Sequence, residues 1–98
     1  MVQKRKIPRN CISYEGHIFK PVSIPMKDLD KIELTKEEIT AIHYADFMGL
    51  KQLKAADKMG ISQASFSRDL ASAHRKIAQA FFDVKALLFE EPVDNTGE

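Results

Sequence analysis

Apolar residues recur at helical spacing in the last third of the chain. They follow one another at alternating steps of four and three residues: Phe66, Leu70, Ala73, Ile77, Ala80 and Val84. This spacing places one apolar stripe along an α-helix. Ser62 is a strong N-cap residue, and neither Pro nor Gly interrupts the run that follows it. The pattern therefore predicts one amphipathic helix of about twenty residues that begins after Ser62.

Two shorter helices are predicted upstream. Thr35 and Glu38 have the spacing of a capping box, and Gly49 suits a left-handed C-cap, which predicts a helix over residues 35–48. The next helix is predicted over residues 51–59 and ends at Gly60. Its inward positions are expected at Leu53, Ala56 and Met59.

The segments outside these helices favour short extended structure. Residues 17–25 are rich in β-formers, but two prolines limit them to an extended segment or an edge strand. Residues 84–89 are a second strand candidate. The predicted fold is mainly α, a three-helix domain over residues 17–90 with room for a short two-stranded pairing of its ends. Residues 1–16 are expected to be a flexible basic arm, and residues 91–98 a disordered acidic tail.

The junction of the second and third helices has the spacing of a helix-turn-helix. Ala56 is small enough for the helices to cross, and Gly60 accommodates a positive φ at the turn. Ile61 is expected to fill the space between the helices, while Ser62 caps the third helix and Phe66 anchors it. An ordinary helical hairpin with a glycine turn is the alternative interpretation.

The face of the third helix opposite Phe66 combines small side chains with arginines, as a helix in the DNA major groove requires. The residues predicted to read bases are Gln63, Ala64, Ser67, Arg68, Ala71 and Ser72. The residues predicted to contact phosphate are Lys51, Gln52, Ser62, Ser65, Arg75 and Lys76, with Lys4, Arg5, Lys6 and Arg9 of the arm. A solvated surface is the alternative for each of them.

Charge is segregated along the chain, although the formal net charge is only +1. The first ten residues and residues 51–85 are basic, whereas residues 27–49 and the tail are acidic. Two basic zones in a nearly neutral protein suit a polyanion bound on one side. Solvated charged faces would give the same pattern.

The composition and the absence of certain motifs narrow the possible cellular locations and chemical activities. A single cysteine, Cys11, cannot form a disulfide within the chain. The basic first residues lack the apolar stretch of a signal peptide, and no apolar run is long enough to span a membrane. A cytoplasmic protein without membrane contact is expected. Neither metal-ligand spacing nor a phosphate-binding glycine loop nor a catalytic triad is present, so we expect no enzyme activity, no metal and no cofactor.

Over roughly residues 4–90 the chain resembles domain-of-unknown-function family one-three-four, also called uncharacterised protein family two-five-one. The motifs that carry the resemblance include Phe19-Lys20-Pro21, Ile32-Glu33-Leu34-Thr35, Ala55-Ala56, Met59-Gly60-Ile61-Ser62 and Lys85-Ala86-Leu87. The central part is also similar to region four of bacterial sigma factors, within the winged-helix-like superfamily. Lys51 and Asp69 depart from the pattern, because a capping Ser and an apolar residue are expected there.

The resemblance implies a sigma-like helix-turn-helix with a role in transcription, and a short strand over residues 85–89 beside Phe19. The expected partner is double-stranded DNA, read by a sequence-specific regulator. The alternative is a sigma-like interaction module that binds RNA polymerase or another regulator. A homodimer that reads paired half-sites is a further expectation.

Overall fold

Residues 11–90, which the computed structural model describes, form a mainly helical domain, as predicted. Its elements are the strands β1 (Ile18–Phe19), β2 (Lys31–Leu34) and β3 (Ala86–Phe89), and the helices α1 (Lys36–Ile42), α2 (Gln52–Met59) and α3 (Gln63–Asp83). A 3₁₀ turn (Met26–Asp28) precedes β2, and a π-helical segment (His43–Phe47) continues α1. The outer part of the predicted basic arm and the predicted acidic tail lie outside the described residues.

The start of α1 follows the sequence prediction. The Thr35 hydroxyl accepts a hydrogen bond from the Glu38 backbone N–H at 3.2 Å, and the Glu38 carboxylate accepts one from the Thr35 N–H at 2.9 Å. The helix predicted over residues 35–48 is confirmed through Phe47, but its second half is not α-helical. There the Met48 N–H bonds to the His43 carbonyl five residues earlier, so the last turn is π-helical.

The turn between α2 and α3 also has the predicted local geometry. Gly60 has φ of +69°, and the Ile61 N–H closes the end of α2 on the Ala56 carbonyl at 3.1 Å. Ser62 then caps α3 by accepting a hydrogen bond from the Ser65 N–H at 3.1 Å. Two caps less than one helical turn apart fix where α2 ends and where α3 begins.

Two side chains predicted to be inward are exposed. Leu53 is 69% exposed, because it lies about 110° around α2 from the centre of the buried face at 100° per residue. That face consists of Ala55, Ala56 and Met59. Val84 is 47% exposed and has φ of +58°, which ends α3 at Asp83 and turns the chain into β3.

A small mixed sheet packs beside the C-terminal half of α3. Its strand order is β1-β3-β2, with β1 antiparallel to β3 and β2 parallel to it. The predicted pairing of the two ends is confirmed, since Phe19 stands opposite Leu87. Sequence reasoning missed β2, because a parallel strand gains its partner only through a long crossover, here the three helices.

The buried residues form two clusters connected by α3. The first lies between the helices and comprises Ala41, Ala55, Ala56, Met59, Phe66 and Leu70. The second lies between α3 and the sheet and comprises Leu34, Ile39, Ala73, Ala80 and Leu87. Ile12 and Tyr14 also pack on the second cluster, and the Tyr14 hydroxyl donates to the Glu90 carbonyl at 2.6 Å. The folded part therefore includes residues that were assigned to the arm.

Candidate nucleic-acid interface

The outward side of α3 carries a stripe of two small and two basic side chains. Ala64, Arg68, Ala71 and Arg75 are all exposed and fall within about 60° of arc at 100° per residue. They face outward because Phe66 and its apolar neighbours bury the opposite side of the helix. We call these four residues the basic stripe. Gln63, also exposed, stands beside it in the first turn.

Arg68 is held loosely at the start of the basic stripe. One guanidinium nitrogen donates to the Ser65 hydroxyl at 3.3 Å, and Ser65 in turn contacts the Ser62 hydroxyl at 3.1 Å. These contacts are exposed, so the guanidinium keeps donors free for an outside ligand. Ser62 and Ser65, which were predicted to contact phosphate, here belong to the cap of α3.

Two predicted contact residues hold the helices of the motif together. The Ser67 hydroxyl donates to the Gln52 side-chain oxygen, and both residues are half-buried. This bond joins the first turn of α2 to the second turn of α3. Ser67 was predicted to read a base and Gln52 to meet phosphate. The structure instead brings them together as a brace between the two helices.

Ser72 and Lys76 are directed toward α1. The Ser72 hydroxyl donates to one oxygen of the Glu38 carboxylate, and the Lys76 ammonium bonds the other oxygen at 2.8 Å. Lys76 also donates to the Glu33 backbone carbonyl at 2.8 Å. Ser72 was predicted to read a base and Lys76 to contact phosphate. The structure separates both side chains from the basic stripe.

These contacts set the ionisation of Glu38, whose side chain is only 7% exposed. Burial raises the pKa of this carboxyl, but hydrogen bonds from Lys76, Ser72 and the Thr35 backbone, with the Lys76 charge, lower it by more. The pKa of Glu38 therefore lies below its ordinary value of 4.5. Sequence reasoning saw Glu38 only as a capping residue, and no local signal marks its bonds to α3.

The start of α2 has the weakness that the sequence predicted. Lys51 occupies the N-cap position and makes no side-chain cap bond, and the first turn of α2 contains no acidic residue. Lys51 itself is exposed. A helix start with uncapped N–H groups beside a lysine is electrostatically suited to an anion.

His74 and Asp46 add a polar contact beside the basic stripe. The His74 Nε2 atom lies 2.7 Å from an Asp46 carboxylate oxygen, and each side chain is about half exposed. The contact ties the π-helical segment to α3. It also engages the carboxylate of Asp46. Sequence reasoning missed it, because the partners stand 28 residues apart.

No aspartate or glutamate of α3 falls within the arc of the basic stripe. Asp69, the acid that departs from the family pattern, is half-buried and lies outside the stripe at about 140° from Ala64. The arm residues predicted to contact phosphate, Lys4, Arg5, Lys6 and Arg9, lie outside the described residues. Within residues 11–90 no helix is long and apolar enough to cross a membrane.

Comparison with known proteins gives the family. Residues 1–92 match the family described as protein of unknown function DUF134. A UPF0251 protein of Vibrio parahaemolyticus is 37% identical over 87 residues, which cover 89% of this chain and 91% of that protein. UPF0251 proteins of Halothermothrix orenii and Chloroherpeton thalassium are 44% and 43% identical, over 78% and 90% of this chain.

The chain spans 56% of the length of each of the latter two relatives, so these are longer proteins. No solved structure matches the chain significantly. The family match covers the helix-turn-helix and the sheet together. The chain belongs to the DUF134 family of proteins of unknown function.

Proposed function

We propose that this protein binds double-stranded DNA sequence-specifically as a transcriptional regulator, with the N-terminal half of α3 in the major groove. The observation that carries the proposal is the basic stripe. It lies on the second helix of a capped helix-turn-helix and contains two arginines, two alanines and no acid. Helices that read the major groove need both close approach and long hydrogen-bond donors.

The short and the long side chains on this side of α3 have different roles in this proposal. Ala64 and Ala71 keep the helix surface low, so that its backbone approaches the floor of the groove. Arg68 is long enough to donate two hydrogen bonds to guanine O6 and N7, the most common specific contact to a base. Gln63 in the first turn pairs with adenine.

Phosphate contacts supply affinity on either side of the reading residues. Arg75 lies about 10 Å farther along α3 than Arg68, at 1.5 Å per residue, which suits the DNA backbone better than a base edge. Lys51 and the uncapped start of α2 form the second contact. Gln52, Ser67, Ser72 and Lys76 are left out, because their side chains are engaged within the protein.

The test is selection from random duplex DNA with the purified full chain at near-physiological salt. An enriched motif is expected. The Arg68→Ala variant should lose about 1–3 kcal/mol on that motif through one base position and little on random DNA. Lys27→Ala is the matched control, because it removes one exposed positive charge from the turn before β2 and should leave the motif unchanged.

Two results would contradict the proposal. An equal loss on every sequence would mean that Arg68 contacts only phosphate. No enrichment, with only salt-sensitive binding, would favour the interaction module instead. In that case RNA polymerase should be retained by a variant that lacks both Arg68 and Arg75.

A further inference from the structure

A wide apolar groove with a volume of about 730 Å³ lies between the π-helical segment, the C-terminal half of α3 and the sheet. Phe19, Phe47 and Phe81 line the groove and remain 56%, 81% and 69% exposed. We call these three residues the aromatic face. Phe19 and Phe81 also line an adjoining depression with Val84, so the apolar surface continues past the groove.

The apolar area that these three residues expose can be compared with the area that a dimer buries. At roughly 200 Å² for a fully exposed phenylalanine, the aromatic face leaves about 400 Å² of ring surface in water. One side of a standard interface buries about 800 Å², and in homodimers about 65% of it is apolar. Together with Val84 and the partly exposed walls of the groove, the aromatic face provides most of the apolar area that a dimer needs.

The charges around this surface suit a second copy of the chain. Of the described residues that line the groove, only Glu15 is an acid and none is lysine or arginine. The adjoining depression is lined by Lys20 and Lys85 and by no acid. Two copies related by a two-fold axis can therefore bring opposite charges together around an apolar centre.

The two end segments outside the described residues are poor occupants for this surface. Residues 1–10 and 91–98 contain seven charged residues and no aromatic one. They offer no ring to pack against the three phenylalanines, whereas a second copy offers three. A symmetric pair is the simplest way for one sequence to cover this face.

We propose that two copies of the chain pair through the aromatic face as a two-fold symmetric dimer. Phe81 lies about 20 Å along α3 from Arg68, at 1.5 Å per residue. Two helices that meet near Phe81 hold their Arg68 residues up to roughly 40 Å apart, and a tilt between them gives the 34–36 Å between successive major-groove faces. This spacing rests on the proposed DNA-binding function, but the dimer itself does not.

The experiment measures the mass of the full chain by sedimentation equilibrium across a series of concentrations. The Phe81→Glu variant should raise the dimer dissociation constant at least about thirtyfold, as removal of a central interface residue does. Phe82→Glu is the matched control, because Phe82 is the next residue of α3 and is 84% exposed but lines neither the groove nor the depression. It should leave the constant within about threefold.

Circular dichroism melts show whether each variant folds. If Phe81→Glu does not, Phe47→Glu in the π-helical segment tests the same face from another element. A wild-type chain that stays monomeric at several hundred micromolar would overturn the proposal. Equal increases of the dimer dissociation constant in the Phe81→Glu and Phe82→Glu variants would also overturn it. If the protein is a monomer that binds an apolar dye, and Phe81→Glu abolishes the dye binding, the groove is a small-molecule site. This result would also overturn the dimer proposal.

Different results would contradict the proposed dimer and the proposed DNA-binding function. A dimer lost in Phe81→Glu supports the proposed face even if no DNA motif is enriched, which contradicts only the proposed function. A dimer that selects paired half-sites about ten base pairs apart supports both. If a dimer that depends on Phe81 selects only a single half-site, the proposed tilt between the two α3 helices is contradicted. Pairing through the aromatic face is still supported.

Discussion

Glu38 connects α1 with the middle of α3 through its carboxylate. Its carboxylate completes the capping box of α1 and accepts hydrogen bonds from Ser72 and Lys76 of α3. Lys76 in turn donates to the Glu33 carbonyl of β2. One buried carboxylate therefore orients a helix start, the middle of α3 and an edge of the sheet. Loss of such a group leaves its donors without an acceptor in a largely buried site.

The pKa of Glu38 predicts how stability depends on pH. Because the carboxyl has a lower pKa in the folded state, its contribution is fully present above its ordinary value of 4.5 and disappears as the pH falls through the folded value. At neutral pH, Glu38→Gln should lower the free energy of unfolding by about 2 kcal/mol, since hydrogen bonds to a charged group are lost. Urea titrations from pH 7 down to pH 3 measure both effects.

The control for this prediction is Glu33→Gln, whose side chain is exposed on β2. It should change the stability at neutral pH by no more than about 0.5 kcal/mol. The Glu38→Gln variant should also lose less stability than the wild type on acidification. If the free energies of unfolding of the wild type and of Glu38→Gln fall equally between pH 7 and pH 3, Glu38 does not carry the predicted charge-dependent stability.

The π-helical segment directs its side chains to two different parts of the domain. Its wider turn leaves Tyr44 and Ala45 packed on the first cluster while Phe47 points into the groove and toward solvent. Gly49, with φ of +73°, then reverses the chain, and the Leu50 N–H bonds back to the Tyr44 carbonyl at 3.0 Å. The position of Phe47 in the aromatic face thus depends on a departure from regular α-helix.

Substitutions at Gly49 test the left-handed turn that follows the π-helical segment. A Cβ atom at Gly49 would meet nothing within 4 Å, so Gly49→Ala should cost only the strain of its left-handed backbone, about 1–2 kcal/mol. Gly49→Asn should cost less, because asparagine tolerates this conformation. Gly16→Ala is the matched control, since it adds the same methyl group in equally open space without a left-handed φ. Equal stabilities of the Gly49→Ala and Gly16→Ala variants in thermal melts would contradict the predicted strain.

On the scale of the whole molecule, α3 organises the domain into two halves with different surfaces. Its first half packs on α2 through the first cluster and exposes the basic stripe. Its second half packs on the sheet through the second cluster and exposes Phe81 beside the groove. A single helix of 21 residues, about 31 Å long, therefore keeps the polar and the apolar surface at a fixed separation.

The proposed DNA contact predicts a specific salt response. Arg75→Ala should weaken binding to all sequences alike and lower the slope of log affinity against log salt by about one, because one phosphate contact is lost. Binding titrations between 50 and 200 mM salt measure the slope, with Lys27→Ala as the control of equal charge. An unchanged slope, or a loss confined to one motif, would show that Arg75 does not contact phosphate.

Much of the helical part was predictable because its signals are local. The capping box at Thr35, the positive φ of Gly60 and the Ser62 cap each depend on residues within one helical turn. The repeat of four and three residues likewise assigned the buried face of α3 from Phe66 to Ala80. It was wrong at Val84, because the turn into β3 takes precedence over the periodicity there.

Local patterns were enough to predict the order of the helices, their caps and the exposed basic stripe, since bonds between near neighbours and side-chain spacing decide these features. Which side chains of α3 remain available depends instead on elements that are distant in the sequence. Ser67, Ser72 and Lys76 have the residue types of a DNA contact, but their partners come from α1, α2 and β2. The parallel pairing of β2 with β3 and the groove beside Phe47 were likewise decided at long range, because spacing along one element specifies a face and not the element that packs against it.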